Sequence, residues 1–103
     1  PYHLIVSNPP YIRSEEIPKL DRNVRDYEPI TALDGGPDGL AVYRRILAGA
    51  GDRLVSGGKI YIEIAFDQGE LAKQVAGEYP AFGEVKILKD YGGRDRVMTA
   101  RRA

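Results

Sequence analysis

Asn8-Pro9-Pro10-Tyr11 is the stretch of this chain whose residue types and spacing can do chemistry. An asparagine before proline is driven out of the helical region, and two successive prolines stiffen the turn after it. Neither proline has an N–H, so the turn offers backbone carbonyls without competing donors. Asn8 adds a side-chain carbonyl and Tyr11 a flat aromatic face. The set suits a planar group with two N–H bonds, either a carboxamide or the exocyclic amine of a base. The Asn8 side-chain oxygen and the Pro9 carbonyl can each accept one of those hydrogens. The nitrogen is then aimed at an electrophile while Tyr11 stacks on the conjugated plane. That is catalysis by orientation and polarisation. No strong base is needed before attack, because the nitrogen becomes acidic only once it is alkylated. The alternative is a rigid strand-to-loop turn in which Asn8 is a capping residue.

Other residues carry less. Glu63 stands at the carboxyl end of a second apolar strand, where a carboxylate can face a pocket or serve structure alone. Glu28, before Pro29, reads as a brace of loop geometry or of the active-site loop. His3 lies in the first strand and reads as non-catalytic. Arg94, Arg96, Arg101 and Arg102 make a basic cluster near the end, by default a solvated strand edge and otherwise a contact for RNA or an acidic partner.

Composition removes whole classes. The chain has no cysteine and one histidine, which excludes a disulfide scaffold, a thiolate zinc site, a cysteine nucleophile and a histidine metal cluster. Fifteen Lys and Arg balance fifteen Asp and Glu, so the basic excess of a dedicated nucleic-acid module is missing. Apolar runs such as Leu4-Ile5-Val6 are far too short to cross a bilayer, and no segment resembles a signal peptide. The expectation is a cytoplasmic protein without membrane contact. At 103 residues and 43% hydrophobic, the chain holds one core at most. It opens on Pro1 and is inside a strand by Leu4, so part of a larger domain is expected.

The elements that must position these residues emerge from periodicity. Tyr2 to Val6 is a continuous apolar run, as in a parallel strand buried on both faces. Ser14-Glu15-Glu16 can cap a short helical turn that Pro18 limits. Asp34-Gly35-Gly36-Pro37 signals a turn, with Pro37 or Asp38 starting a helix. Leu40, Tyr43, Leu47, Ala50 and Leu54 extend it as an amphipathic helix that Ser56-Gly57-Gly58 stops. Lys59 to Ile64 predicts the next strand. Asp67 is the expected N-cap of a helix through Leu71, Ala72, Val75 and Ala76. Glu84 to Leu88 and Arg96 to Ala100 alternate as strands, joined by Asp90 to Asp95 into an antiparallel pair. The fold class is α/β with an antiparallel ending.

Asn8-Pro9-Pro10-Tyr11 resembles motif IV of S-adenosylmethionine-dependent amino-methyltransferases. NPPYIRSEEIPKLDRNVRDYEPITALDGGPDGLAVYRRIL (8–47), GGKIYIEIAFDQGE (57–70) and KDYGGRDRVMTARR (89–102) resemble the release-factor glutamine methyltransferases of the HemK/PrmC type. The Tyr27-Glu28-Pro29 and Asp38-Gly39-Leu40 elements are the more specific parts. The resemblance runs over essentially all of residues 1–103. It implies the second half of a class I, Rossmann-like methyltransferase sheet ending in an antiparallel strand pair, with the cofactor-loop half upstream of Pro1. It implies methyl transfer from S-adenosylmethionine to the glutamine of the Gly-Gly-Gln motif of a peptide-chain release factor. Asn8 and Pro9 are then catalytic, Asn8, Pro9, Pro10 and Tyr11 bind substrate, and Asn8 also meets the cofactor's methyl end. Neither Gly35-Gly36 nor Gly57-Gly58 has the context of a nucleoside loop. Ala65 departs from the family, which usually has Gly there. The alternatives are transfer to a ribosomal-protein glutamine or to DNA adenine N6, and a non-catalytic interaction module. DNA is disfavoured by the neutral charge, and the chain alone is expected to be inactive. In the family's sheet order Leu4-Ile5-Val6 has a neighbour that this chain lacks, so self-association through the open edge is expected.

Overall fold

The computed structural model describes residues 1–19 and 34–103. Four strands, β1 (Tyr2–Ser7), β2 (Leu54–Glu63), β3 (Phe82–Lys89) and β4 (Asp95–Arg102), form one sheet in the order β1-β2-β4-β3. β1 runs parallel to β2, while β4 is antiparallel to both β2 and β3. Two helices, α1 (Ala41–Ala50) and α2 (Gly69–Gly77), and a 3-10 helix over Ser14–Lys19 complete the described elements. No helix among the described residues is long and apolar enough to cross a membrane.

Period-two alternation puts Ile60 and Ile62 of β2 and Met98 and Ala100 of β4 on one face of the sheet. They share one buried cluster with Tyr43 and Leu47 of α1 and Ala72, Val75 and Ala76 of α2. Both helices therefore cover the same face. Each fully buried Ile or Leu there contributes roughly 1.5–3 kcal/mol relative to exposure. Tyr43 is buried to its hydroxyl, which donates to the Ala72 carbonyl at 2.7 Å and ties α1 to α2. That burial raises the Tyr43 pKa.

Among the described residues nothing covers the other face. Leu4 and Val6 of β1 align with Lys59 and Tyr61 of β2, and these with Arg101 and Thr99 of β4. Tyr2, Leu4 and Val6 are 59%, 55% and 71% exposed, whereas Ile5 packs against the core. The expectation of a first strand buried on both faces is corrected here. β1 is an edge strand of the described sheet, and no layer among the described residues covers its outer face.

Three boundaries also differ from those the sequence suggests. α1 begins at Ala41, not at Pro37 or Asp38, and ends at Ala50. Leu54 opens β2, so Ser56-Gly57-Gly58 lies inside a strand and stops nothing. Gly57, at φ +81°, belongs to the irregular stretch where pairing moves from Tyr2–Leu54 to Leu4–Lys59. α2 is preceded by Gln68 in the N-cap position, without a side-chain cap, and Asp67 is engaged elsewhere.

Candidate functional site

Parallel pairing places the carboxyl ends of β1 and β2 at one edge of the sheet. The antiparallel return of β4 brings the β3–β4 hairpin to that same edge. Ligands of open α/β sheets bind at such an edge. Asn8-Pro9-Pro10-Tyr11 comes directly after β1 there. Asn8 is exposed, Pro9 is buried, and Pro10 and Tyr11 are half-buried. Among the described residues neither the Asn8 side chain nor the Pro9 carbonyl has a hydrogen-bond partner. Asn8 therefore caps nothing in the described structure, and neither acceptor is engaged.

Three sets of contacts hold the turn. The first comes from Asp34 to Gly36. The Gly35 N–H donates to the Ile12 carbonyl at 2.7 Å, and the Ser14 N–H to the Gly36 carbonyl at 2.9 Å. The Asp34 carboxylate accepts from the Ser14 hydroxyl at 2.6 Å and from the Gly36 N–H at 2.8 Å. Those two bonds, the Ser14 one first, hold the Asp34 pKa below the ordinary carboxylate value.

The second is Gln68, which is completely buried. Its Nε2 donates to the Tyr11 carbonyl at 3.0 Å and to the Asp38 carbonyl at 3.3 Å, while its Oε1 accepts from the Ala65 N–H at 2.9 Å. One side chain thus joins the segment after β1, the segment before α1 and the loop after β2. Gly39, at φ +81°, makes room for it, since a Cβ there would run into Gln68 Nε2 and the Tyr11 carbonyl. Asp38 fixes the same turn. It accepts from the Leu40 N–H at 2.9 Å and takes both Arg44 guanidinium nitrogens at 3.0 and 2.7 Å. The Arg44 hydrogen bond is the main cause of its lowered pKa. The third is Arg13, whose guanidinium donates to Asp67 at 3.0 Å.

Two cavities open at this edge. One of about 450 Å³ lies on the face opposite the helices, between Val6, Asn8, Tyr61, Glu63 and Val97. The other, about 260 Å³, lies between Tyr11, the Ala65-Phe66-Asp67 loop and the hairpin. Asn8 lines the first and Tyr11 the second. A further cavity of about 340 Å³ sits at the opposite edge, against Gly57 and Arg101, and holds none of the four turn residues.

No family model matches the chain. Its sequence is 48% identical over 101 residues to the release factor glutamine methyltransferase of Agrobacterium fabrum, covering 98% of this chain and 35% of that protein. The enzymes of the same name from Moorella thermoacetica and Clostridium acetobutylicum are 47% and 46% identical over 98 and 99 residues, covering 95% and 96% of this chain. Over nearly its whole length the chain is similar to one stretch of these release factor glutamine methyltransferases. It spans about a third of the length of the relatives it matches, at 34–35% of each. Its fold is also that of a solved methyltransferase from Pyrococcus furiosus, with a TM-score of 0.62 over 96% of this chain and 40% of that one. At 20% identity that likeness speaks for the fold alone.

Glu63 ends β2, lines the cavity beside Asn8 and faces the Arg96 guanidinium at 3.5 Å. His3 is exposed. Glu28, with Tyr27 and Pro29, lies outside the described residues. The basic cluster is not one cluster. Arg94 and Arg96 stand at the site edge, whereas Arg101 and Arg102 close the far end of β4, where Arg102 Nε donates to the Gly51 carbonyl at 2.8 Å. The residues that sequence reasoning missed are Gln68, Arg13 and Asp67. The signal for Gln68 was a polar side chain wedged between a buried strand and a glycine that opens a helix.

Proposed function

We propose that the chain is the substrate-binding half of a catalytic domain that methylates the side-chain nitrogen of the glutamine in the Gly-Gly-Gln motif of peptide-chain release factors. The observation that carries this reading is the pair of acceptors, Asn8 Oδ1 and the Pro9 carbonyl, unengaged among the described residues on a turn buttressed by buried Gln68. Similarity to release factor glutamine methyltransferases supports the substrate class.

The chain's own residues do the positioning. Asn8 and Pro9 each accept one N–H of the glutamine amide, which fixes the nitrogen and enriches its electron density. Tyr11 sets the plane of the amide. Once the nitrogen carries the methyl group it loses one proton to water, and the remaining N–H stays on one of the two acceptors. S-adenosylmethionine, when bound, supplies the electrophilic methyl group.

The residues present fit only one end of that cofactor. The cavity beside Asn8 is largely apolar and carries the Glu63 carboxylate, which suits a sulfonium-bearing group. The turn glycines Gly35 and Gly39 pack closely on the backbone at Tyr11, and Gly57 lies under Arg101. On this reading, as the resemblance to the family implies, the main cofactor loop lies in the preceding part of the full-length enzyme. The chain alone is expected to be inactive.

The test is mass spectrometry of a release factor incubated with S-adenosylmethionine and the full-length enzyme containing these residues. One added methyl group on the Gly-Gly-Gln glutamine supports the proposal. Methylation of a ribosomal protein or of adenine instead overturns it.

A further inference from the structure

We infer that Phe66 and Arg94 form a clamp for the polypeptide backbone that flanks the target glutamine, a specificity determinant on the hairpin side of the site. The inference rests on the proposed methylation of a polypeptide glutamine. Phe66 lies in the loop after β2 and is 63% exposed, an unusual state for a large apolar ring beside a substrate turn. The Arg94 guanidinium lies over this ring, 5.5 Å from its centroid, within cation–π range. Both line the cavity that Tyr11 also lines.

The electrostatics of that cavity single out Arg94. Each carboxylate around it already has a partner. Asp67 and Glu16 face Arg13, at 3.0 and 4.0 Å. Asp95 pairs with Lys89 at 2.9 Å. Asp90 accepts the Gly92 and Arg94 N–H groups at 2.8 and 3.1 Å, which builds the hairpin turn. Arg13 and Arg96 are paired as well, Arg96 with Glu63. Among the described residues Arg94 has no carboxylate, only the Phe66 face. Its N–H donors are turned to solvent on a platform that Asp90 holds in place.

The lining charges decide the ligand. Three arginines face four carboxylates around the cavity, so it does not attract a polyanion such as a nucleic acid. A neutral chain of carbonyl acceptors fits better. Arg94 donates to peptide carbonyls, and the Phe66 ring accepts a backbone lying flat on it. Glycines next to the target glutamine permit that close approach, because they have no Cβ to lift the chain off the ring.

The test is steady-state kinetics of the full-length enzyme on a release factor, with Phe66→Ala, Arg94→Ala and Arg94→Lys. KM for the release factor is expected to rise about tenfold in Phe66→Ala and Arg94→Ala, the loss of roughly one to two hydrogen bonds or a stacking contact. Arg94→Lys recovers little, since the ammonium lacks the planar fork. KM for S-adenosylmethionine and the melting temperature stay unchanged, which a merely structural role would not give. A further arm replaces the glycines beside the glutamine by alanine, and the KM penalty should shrink in Phe66→Ala. Unchanged KM in both alanine variants, with turnover still lost in Asn8→Ala, overturns the clamp and leaves the proposed function intact. Failure of the unsubstituted enzyme to methylate any polypeptide glutamine overturns both.

Discussion

Replacing Gln68 by alanine should be among the most damaging single substitutions outside the apolar core. The side chain is completely buried and makes three hydrogen bonds, to the Tyr11 and Asp38 carbonyls and from the Ala65 N–H. Its removal leaves three part-buried backbone groups without their partner. At about 1 kcal/mol for each group, after partial rescue by entering water, the loss is about 3 kcal/mol. A domain of this size has roughly 5–15 kcal/mol in total. With a urea m-value of about 1.5 kcal/mol/M, the unfolding midpoint should fall by about 2 M with the slope unchanged. The companion Gln68→Glu keeps the acceptor for Ala65 but sets a carboxylate against two carbonyls. It should be as unstable as alanine at neutral pH and recover on acidification, because only the protonated acid can donate. A midpoint shift below about 0.5 M for Gln68→Ala would refute the role given to this residue, since buried orphaned amides cannot be that cheap.

Three further outcomes are expected. Gly39→Ala combines a positive φ with a collision against Gln68 and the Tyr11 carbonyl, so it should lose more than about 2 kcal/mol in the same urea assay; a neutral result would contradict the packing of the turn. The Asp38 pKa is lowered by Arg44, so the stability this pair gives is present above the ordinary carboxylate pKa and is lost as pH falls through the depressed value. Asp38→Asn should therefore flatten the acid limb of a stability–pH curve, and an unaltered limb would speak against the assignment. The 103-residue chain should self-associate through the unpaired edge of β1, where Leu4 and Val6 are exposed, and Val6→Lys should weaken that association; a monodisperse monomer at high concentration by light scattering contradicts it.

The parts of this fold that were legible in the sequence are those where one physical signal dominates. β1 starts at Tyr2 as its apolar run suggests, and the Asp90–Asp95 link is the hairpin that its glycines indicate. Period and burial agree for α2, whose buried Ala72, Val75 and Ala76 were its expected inner face. Leu54 misled because periodicity reports burial and not conformation. It continues the helical spacing of Tyr43, Leu47 and Ala50 and is buried, yet it reaches the core from a strand after a turn closed by the Arg53 N–H on the Ala50 carbonyl. The exposure of β1 was illegible for a different reason. A run of apolar residues states what a strand could bury, whereas its neighbours decide what is buried. The same limit hid Gln68, whose partners lie 57 and 30 residues away in sequence. The Asn-Pro-Pro-Tyr turn could be read because proline restricts its own backbone, whatever surrounds it.

The central claim is that Asn8 and Pro9 hold an amide nitrogen for methyl transfer. It is tested most directly by Asn8→Ala in the full-length enzyme, with methylation of the release-factor glutamine followed by mass spectrometry. The account predicts a fall in kcat of about 100-fold or more, the scale of losing one preorganised polar contact to the reacting group. The melting temperature should not change, because the Asn8 side chain bonds to nothing among the described residues. An Asn8→Ala enzyme that methylates the glutamine within about threefold of the original rate would contradict the claim, since a preorganised contact to the reacting group is worth far more.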